Sequence, residues 1–411
     1  LGIGFAGVNT NDLTVTANGS ITDSGALVVA NQASFDASGN DVILDDAAND
    51  FGSISIANAD QVAINEQNGM GIGSIVASDI ALTTGGALTD DNGGTTNISG
   101  SSLVLSAQSG IGGGDTLETQ VGTMQLDNTS TGSIGISNEG DLQLVSATNT
   151  GASAGGIQIS TTGALTQQGQ IASNGSVDML SGGLYDQQHN ISVADNSANI
   201  TVTSSNGGIT MKDDNTFSAT TTTTGGDITY SARDTVNVNS LDAVYGEGAV
   251  EIDSATGDIL STRFPDVSRP NVTGGSAFFD AQFGSLGAIG RPLVINVPGS
   301  VVIQTLTSVD PIFLVEPDPL INQSRVLFGV NDAKAEVGGS QRTEVDALAI
   351  IDPAIFTKVK NYREDDTPIK LPADQLAEED DDEDDYKKRQ DPDVFEQEKP
   401  YETDSSLENQ L

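Results

Sequence analysis

The sequence predicts an all-β fold: a right-handed parallel β-helix (β-solenoid), in which short strands stack coil upon coil. Three observations predict it. Apolar residues come in pairs two positions apart, the pairs recur about every 20 residues, and large side chains are scarce for a chain of 411 residues.

The pairs come first. They run from Leu13/Val15, Val42/Leu44, Ile54/Ile56, Val62/Ile64, Ile80/Leu82 and Leu103/Leu105 through Met124/Leu126, Ile134/Ile136, Leu142/Leu144 and Ile157/Ile159. They continue with Val177/Met179, Ile191/Val193, Ile200/Val202, Ile209/Met211, Ile228/Tyr230 and Val236/Val238. Alternation of period two puts both members of a pair on one face of a strand. Gly, Asn, Asp and Ser bound the pairs, and no segment sustains a helical period.

The spacing comes next. Val42, Val62, Ile80, Leu103, Met124 and Leu142 follow one another at roughly 20 residues, the length of one coil made of two or three short strands and their turns. Four phrases echo one another: Gly19-Ser-Ile-Thr-Asp, Gly86-Ala-Leu-Thr-Asp, Gly163-Ala-Leu-Thr-Gln and Gly207-Gly-Ile-Thr-Met. One coil cannot bury its inward residues alone, but stacked coils bury them against the coils above and below. Gly and Asn suit the positive-φ corners between strands.

Composition agrees. Aromatics make up 4% of the chain, and Trp and Cys are absent. A deep globular core, or a series of immunoglobulin-like sandwiches, wants bulkier residues and longer strands. A thin core is built from Val, Ile, Leu and Ala. Without Cys there is neither a disulfide framework nor a thiolate metal site. No apolar run is long enough to span a bilayer, and the chain opens inside what already reads as a repeat. A fragment or processed product of a larger protein is the expectation.

Charge excludes further classes. There are 58 acidic residues against 16 basic ones, a formal net charge of −42. Such a field repels nucleic acid and anionic membranes, so neither is an expected partner. The first Lys or Arg is Lys212. The earlier positions therefore lack the side chains that usually grip phosphate or carboxylate.

The organisation then reads in four parts. Residues 1–240 are β-helix repeats. Residues 241–310 are the last coils with longer loops, marked by Pro265, Pro270, Pro292 and Pro298 and by Phe264, Phe278, Phe279 and Phe283. Residues 311–372 form a C-terminal capping region that would cover open strand edges, with a short helix expected within 344–360 and broken at Pro353. Residues 373–411 are an acidic disordered tail: Glu378 to Asp385 are all acids, followed by Lys387, Lys388 and Arg389.

Several stretches resemble filamentous-haemagglutinin-like exoproteins. They are Ser109 to Leu126, Gly132 to Leu144, and Phe283-Gly-Ser-Leu-Gly-Ala-Ile-Gly-Arg-Pro-Leu-Val-Ile295. Ile351-Asp-Pro-Ala-Ile-Phe, then Ile369 to Gln375 and the acidic tail, look like the end of large two-partner-secretion proteins. The resemblance implies export through an outer-membrane two-partner-secretion transporter and folding outside the cell. It also implies a role in adhesion, aggregation or biofilm, with a host-cell or glycan receptor or sister cells as partners. The family's N-terminal secretion domain has no counterpart in this sequence, and no toxin module is evident, so the specific activity stays open.

Candidate chemistry is sparse, and no catalytic, cofactor-binding or metal-binding residue is assigned. Glycoside hydrolysis needs two carboxylates at a fixed separation. Asp45/Asp46, Asp90/Asp91 and Asp213/Asp214 are pairs, but each stands where Asp is expected to bond turn backbone. A lyase would want a cation beside the acids, which leaves only Arg233, Arg263 and Arg269 as openings. His189 is the single histidine and has no Cys or second His to work with. Gly112-Gly-Gly-Asp115 is similar to a Ca²⁺-binding glycine–aspartate repeat, occurs once, and lacks the nonapeptide register. Weak, delocalised Ca²⁺ association with the acidic surface is the expectation. The Thr220–Thr224 run reads either as a side-chain ladder along the stack or as a polar turn.

The expected product is a secreted, structural or adhesive, monomeric rod at the bacterial cell surface, with no direct membrane insertion and no enzyme activity. The alternatives are a β-helix enzyme acting on polysaccharide and an inert stalk that displays a tip outside this sequence.

Overall fold

A computed structural model describes residues 1–305, except 215, 244–247, 264–268 and 289–291, together with the strands Leu314–Val315 and Arg325–Val330. The described residues form a parallel β-solenoid of about 14 turns with no helix. Each strand pairs in parallel with strands of the coil before and the coil after.

One inward column shows the principle. Leu44, Ile64, Leu82, Leu105, Leu126, Ala147, Ile171, Ile191, Thr221, Leu241, Val272 and Ile295 are paired coil by coil. All of them are buried. A second column runs Ile134, Ile157, Val177, Ile200, Ile228, Val250, Ala277 and Val301. Residues between the inward ones point outward and are polar in most coils, so each strand keeps one dry and one wet face.

The alternating pairs predicted from sequence supply this core, with Leu13 only partly buried at the first coil. One pairing departs from the simple spacing. Met124 stands beside Leu144, and Leu142 pairs instead with Leu165. The reason is a change of cross-section at this point. The strand Leu142–Asn149 is the neighbour of two separate strands, Leu165–Gln167 and Ile171–Ser173. An irregularity leaves Val145 out of register and exposed, which makes a new corner.

Before that corner, the strands Leu27–Leu44, Asp50–Glu66 and Met70–Thr84 run around bends without ending, with register shifts where they turn. Ser38, Gly39 and Asn58 take positive φ at these bends. After it, each coil contributes three short strands to three sheets. Val177–Ser181, Tyr185–Gln187 and Ile191–Val193 make one such coil. Ile200–Ser204, Ile209–Met211 and Thr220–Thr223 make the next.

Corners bury polar side chains that bond the turning backbone. The Asn128 amide donates to Asn149 Oδ1 at 2.7 Å, while Asn128 Oδ1 accepts the Gly110 N–H at 2.9 Å. Asn149 donates to the carbonyls of Gly155 and Gly156 at 2.9 and 3.1 Å. Asn138 Oδ1 accepts from the Thr119 hydroxyl and the Val121 N–H. A backbone group turned inward at a corner has no ladder partner, so these side chains complete the pairing.

The interior also holds a polar network that joins all three sheets. Tyr185 donates to Gln167 Oε1 at 2.9 Å, and Gln167 donates to the carbonyls of Gly169 and Asn190, each at 3.0 Å. Tyr230 donates to Gln187 Oε1 at 2.6 Å and lies 2.6 Å from the Thr221 hydroxyl. Gln187 Nε2 donates to Thr221 Oγ1 and to the His189 carbonyl, each at 3.0 Å. Burial pushes both tyrosine hydroxyls up from their ordinary pKa, so they stay neutral donors.

The threonine run becomes a strand, not a turn, and it makes no threonine ladder. Thr221 stands between Ile191 and Leu241, and Thr223 between Val193 and Ala243. Both are buried. A ladder needs like residues on successive rungs, and no neighbouring coil supplies them here.

Strand pairing runs past residue 310, where the cap was expected to begin. Leu314–Val315 pairs with Leu293–Val294, and Arg325–Val330 pairs with Ser300–Thr305. The expected helix within 344–360, the rest of the cap and the acidic tail lie outside the described residues.

Candidate functional site

The first sheet breaks its own pattern at one place. Ile111 pairs with Ile134, and Leu117 pairs with Ile136. A single residue, Gly135, separates the two isoleucines, whereas Gly112 to Thr116 separate Ile111 from Leu117. The surplus must leave the sheet. Gly112 starts the excursion with φ +59°, and a Cβ there would lie 2.3 Å from the Gly135 carbonyl oxygen, so glycine is required.

The coil before it carries an excursion as well, from Asp91 to Asn97. Buried Asn97 fastens its base, donating to the Ile72 carbonyl at 2.9 Å and accepting the Glu118 N–H at 2.8 Å. The following coils are flat. Gly135, Gln158 and Asp178 are successive outward residues of one column.

A groove results, with the glycine excursion as wall and the flat sheet as floor. Its cavity is about 380 Å³ and is lined by Gly112, Gly113, Gly114, Thr116, Ser133, Ile134, Gly135, Gly156, Ile157, Gln158, Ser176 and Asp178. Gly135 and Gly156 keep the floor low. Asp178 brings the one carboxylate among these residues; it is exposed, and the surrounding protein still raises its pKa above the ordinary Asp value by desolvation.

The residues weighed from sequence are placed as follows. Asp46 accepts the Ala48 N–H at 2.9 Å, Asp90 the Asn92 N–H at 2.8 Å, and Asp214 the N–H groups of Thr216 and Phe217 at 2.7 and 2.8 Å. One acid of each pair therefore does the turn work expected of it. Asp115 is exposed on the excursion, and among the described residues no three acids or histidines converge on a point that would hold a metal.

Arg263 is buried at a corner, bonded to Asn239 Oδ1 and to the Pro270 carbonyl, whereas Arg233 and Arg269 are exposed. His189 stacks on Phe217 with ring centroids 4.4 Å apart, and its Nδ1 is buried without a hydrogen-bond partner. The packing of His189 against an excursion that bonds its own backbone through Asp214 is structural.

Two acidic features were not foreseen. Asp253 and Asp280 stand side by side on the outer face of the first sheet. Desolvation, then the charges of Glu251 and Asp280, push Asp253 up to about 6. Glu66 is 4% exposed and accepts the N–H groups of Phe51 and Asn68 at 2.8 and 3.0 Å. Desolvation outweighs those bonds and pushes it up to about 7. The parity of the strand already pointed there, because Glu66 follows Val62 and Ile64 on the inward side.

What fold and surface define is a repeat-built parallel β-solenoid. A family model described as "Repeats of unknown function (DUF5649)" matches residues 2–58. No curated protein and no solved structure matched the chain.

Proposed function

We propose that this chain is a structural and adhesive segment of a secreted bacterial surface fibre, related to filamentous haemagglutinin. It would be exported by an outer-membrane two-partner-secretion transporter and attach cells to a surface or to one another. The observation that carries the reading is the stack itself. Coil after coil presents outward Ser, Thr, Asn, Gln and Asp on flat parallel strands, as in Gln158, Asp178, Thr201 and Thr229. Such a surface offers many similar weak contacts, and their number supplies avidity that no single one has.

Catalysis on polysaccharide is the less favoured reading. Asp253 and Asp280 lie on the first sheet, whereas the Arg263 guanidinium is held at a corner by Asn239 and Pro270. Displaying the full chain on a non-adherent bacterium tests the proposal. Increased sedimentation or attachment of the displaying cells is the expected result. Unchanged attachment, with release of reducing ends or unsaturated sugars from acidic polysaccharides, would replace adhesion by catalysis.

A further inference from the structure

We propose that the groove beneath the Gly112–Thr116 excursion binds the ammonium or guanidinium side chain of an extended basic polypeptide, with Asp178 as its counter-ion. The inference goes beyond the adhesive reading and is tested separately from it, because an inert stalk could carry the same groove.

The lining decides the ligand class. Asp178 enters no ion pair among the described residues, whereas Asp214 is paired with Lys212. No Lys or Arg precedes Lys212 in the sequence, so the chain has no nearby cation of its own to offer in this region. An anionic ligand would meet a carboxylate and no cation. A divalent metal ion would find a single carboxylate where it wants several oxygen ligands. A neutral sugar would find no aromatic ring to stack on. An organic cation meets complementary charge in the exposed Asp178 carboxylate, which no cation of this region pairs.

The remaining lining fits the same class. Thr116, Ser133, Gln158 and Ser176 supply polar groups around the acid, and the glycines leave room for an alkyl stem, while Ile134 and Ile157 face the core and give the groove only backbone. The groove, about 380 Å³ and open to solvent, has room for one side chain and not for an enclosed ligand. The net charge of −42 draws basic chains toward the whole surface, so the groove must be distinguished from general attraction.

The experiment is fluorescence anisotropy of the full chain with a fluorescein-labelled peptide of alternating Gly and Lys, and with its Nε-acetylated counterpart. Asp178→Asn keeps the side-chain shape and removes the charge. Gly114→Phe fills the groove from a position where a Cβ meets nothing within 4 Å. Asp60→Asn removes an exposed charge elsewhere. Binding of the lysine peptide is expected to weaken about tenfold in D178N and in G114F, a loss of roughly 1.4 kcal/mol. D60N should bind as the parent does, and the acetylated peptide should not bind. Thermal melts of the three variants confirm folding. Equal effects of D178N and D60N, retained binding with the groove filled, or no binding of the lysine peptide by the parent would overturn the proposal.

Discussion

In the coils of residues 27–84, strands bend around corners without ending, and the interior is largely aliphatic with Glu66 as its ionisable member. In the coils of residues 165–243, strands are short, corners are sharp, and the interior carries Gln167, Tyr185, Gln187, Thr221 and Tyr230 bonded to one another and to turns. Both regions obey the same inward parity. The difference teaches that a parallel stack fixes which positions are inside but leaves open what fills them. A polar filling is stable once every donor and acceptor has a partner.

The largest expected effect breaks the second region at its centre. Gln187→Leu removes the acceptor of the Tyr230 hydroxyl and the donor to Thr221 Oγ1, leaving those two buried hydroxyls only each other and the Thr220 carbonyl without its side-chain donor, at a cost of about 2–4 kcal/mol. That is as much as a cavity of Ile64→Ala costs in the first region, again about 2–4 kcal/mol. Adding Tyr230→Phe and Thr221→Val to the glutamine change should restore most of the loss, because the polar partners leave together. Amide exchange across residues 185–193 measures it, and a triple variant no more stable than the single one would refute the closed network.

Glu66 sharpens the comparison from the other side. Its folded pKa of about 7 exceeds the ordinary value of 4.5. A raised carboxylate contributes stability that is complete below its unfolded pKa and disappears as pH rises through the folded one. The first region should therefore weaken by about 1–3 kcal/mol between pH 4.5 and pH 8. Glu66→Gln should flatten that slope for the first coils and leave exchange at 185–193 untouched. Stability that rises over this range would contradict the assignment.

Asp253 carries the smallest effect. Its pKa of about 6 again means stability lost as pH rises through 6. The group is partly open to solvent, so screening holds the contribution below about 1 kcal/mol. Asp253→Asn should remove a shallow pH dependence around residues 249–281, read by amide exchange at pH 5 and pH 7.

Parity made most of the fold legible. Val62, Ile64 and their counterparts announced the inward face from sequence alone. The same parity extended by two positions reaches Glu66, Asn128, Asn138, Gln167 and Gln187, all buried. It went unused because polar residues were read as turn and surface. The threonine run misled for the same reason, since Thr221 and Thr223 are inward by count. The groove was half legible. Gly112-Gly-Gly-Asp115 stood out, but its meaning depends on the neighbouring coil having one residue where this one has five. That is a relation between coils, and no local window contains it. Asp178 joins the site from three coils beyond the excursion, through pairing with Gln158.

The inward column from Leu44 to Ile295 links each coil to the coil before and the coil after, and to no other. Tension applied to such a stack reaches a terminal coil first. Its parallel bonds run along the direction of peeling, so they open in sequence and release one coil of slack before the next is loaded. Such a stack would lengthen in steps under load, one coil at a time.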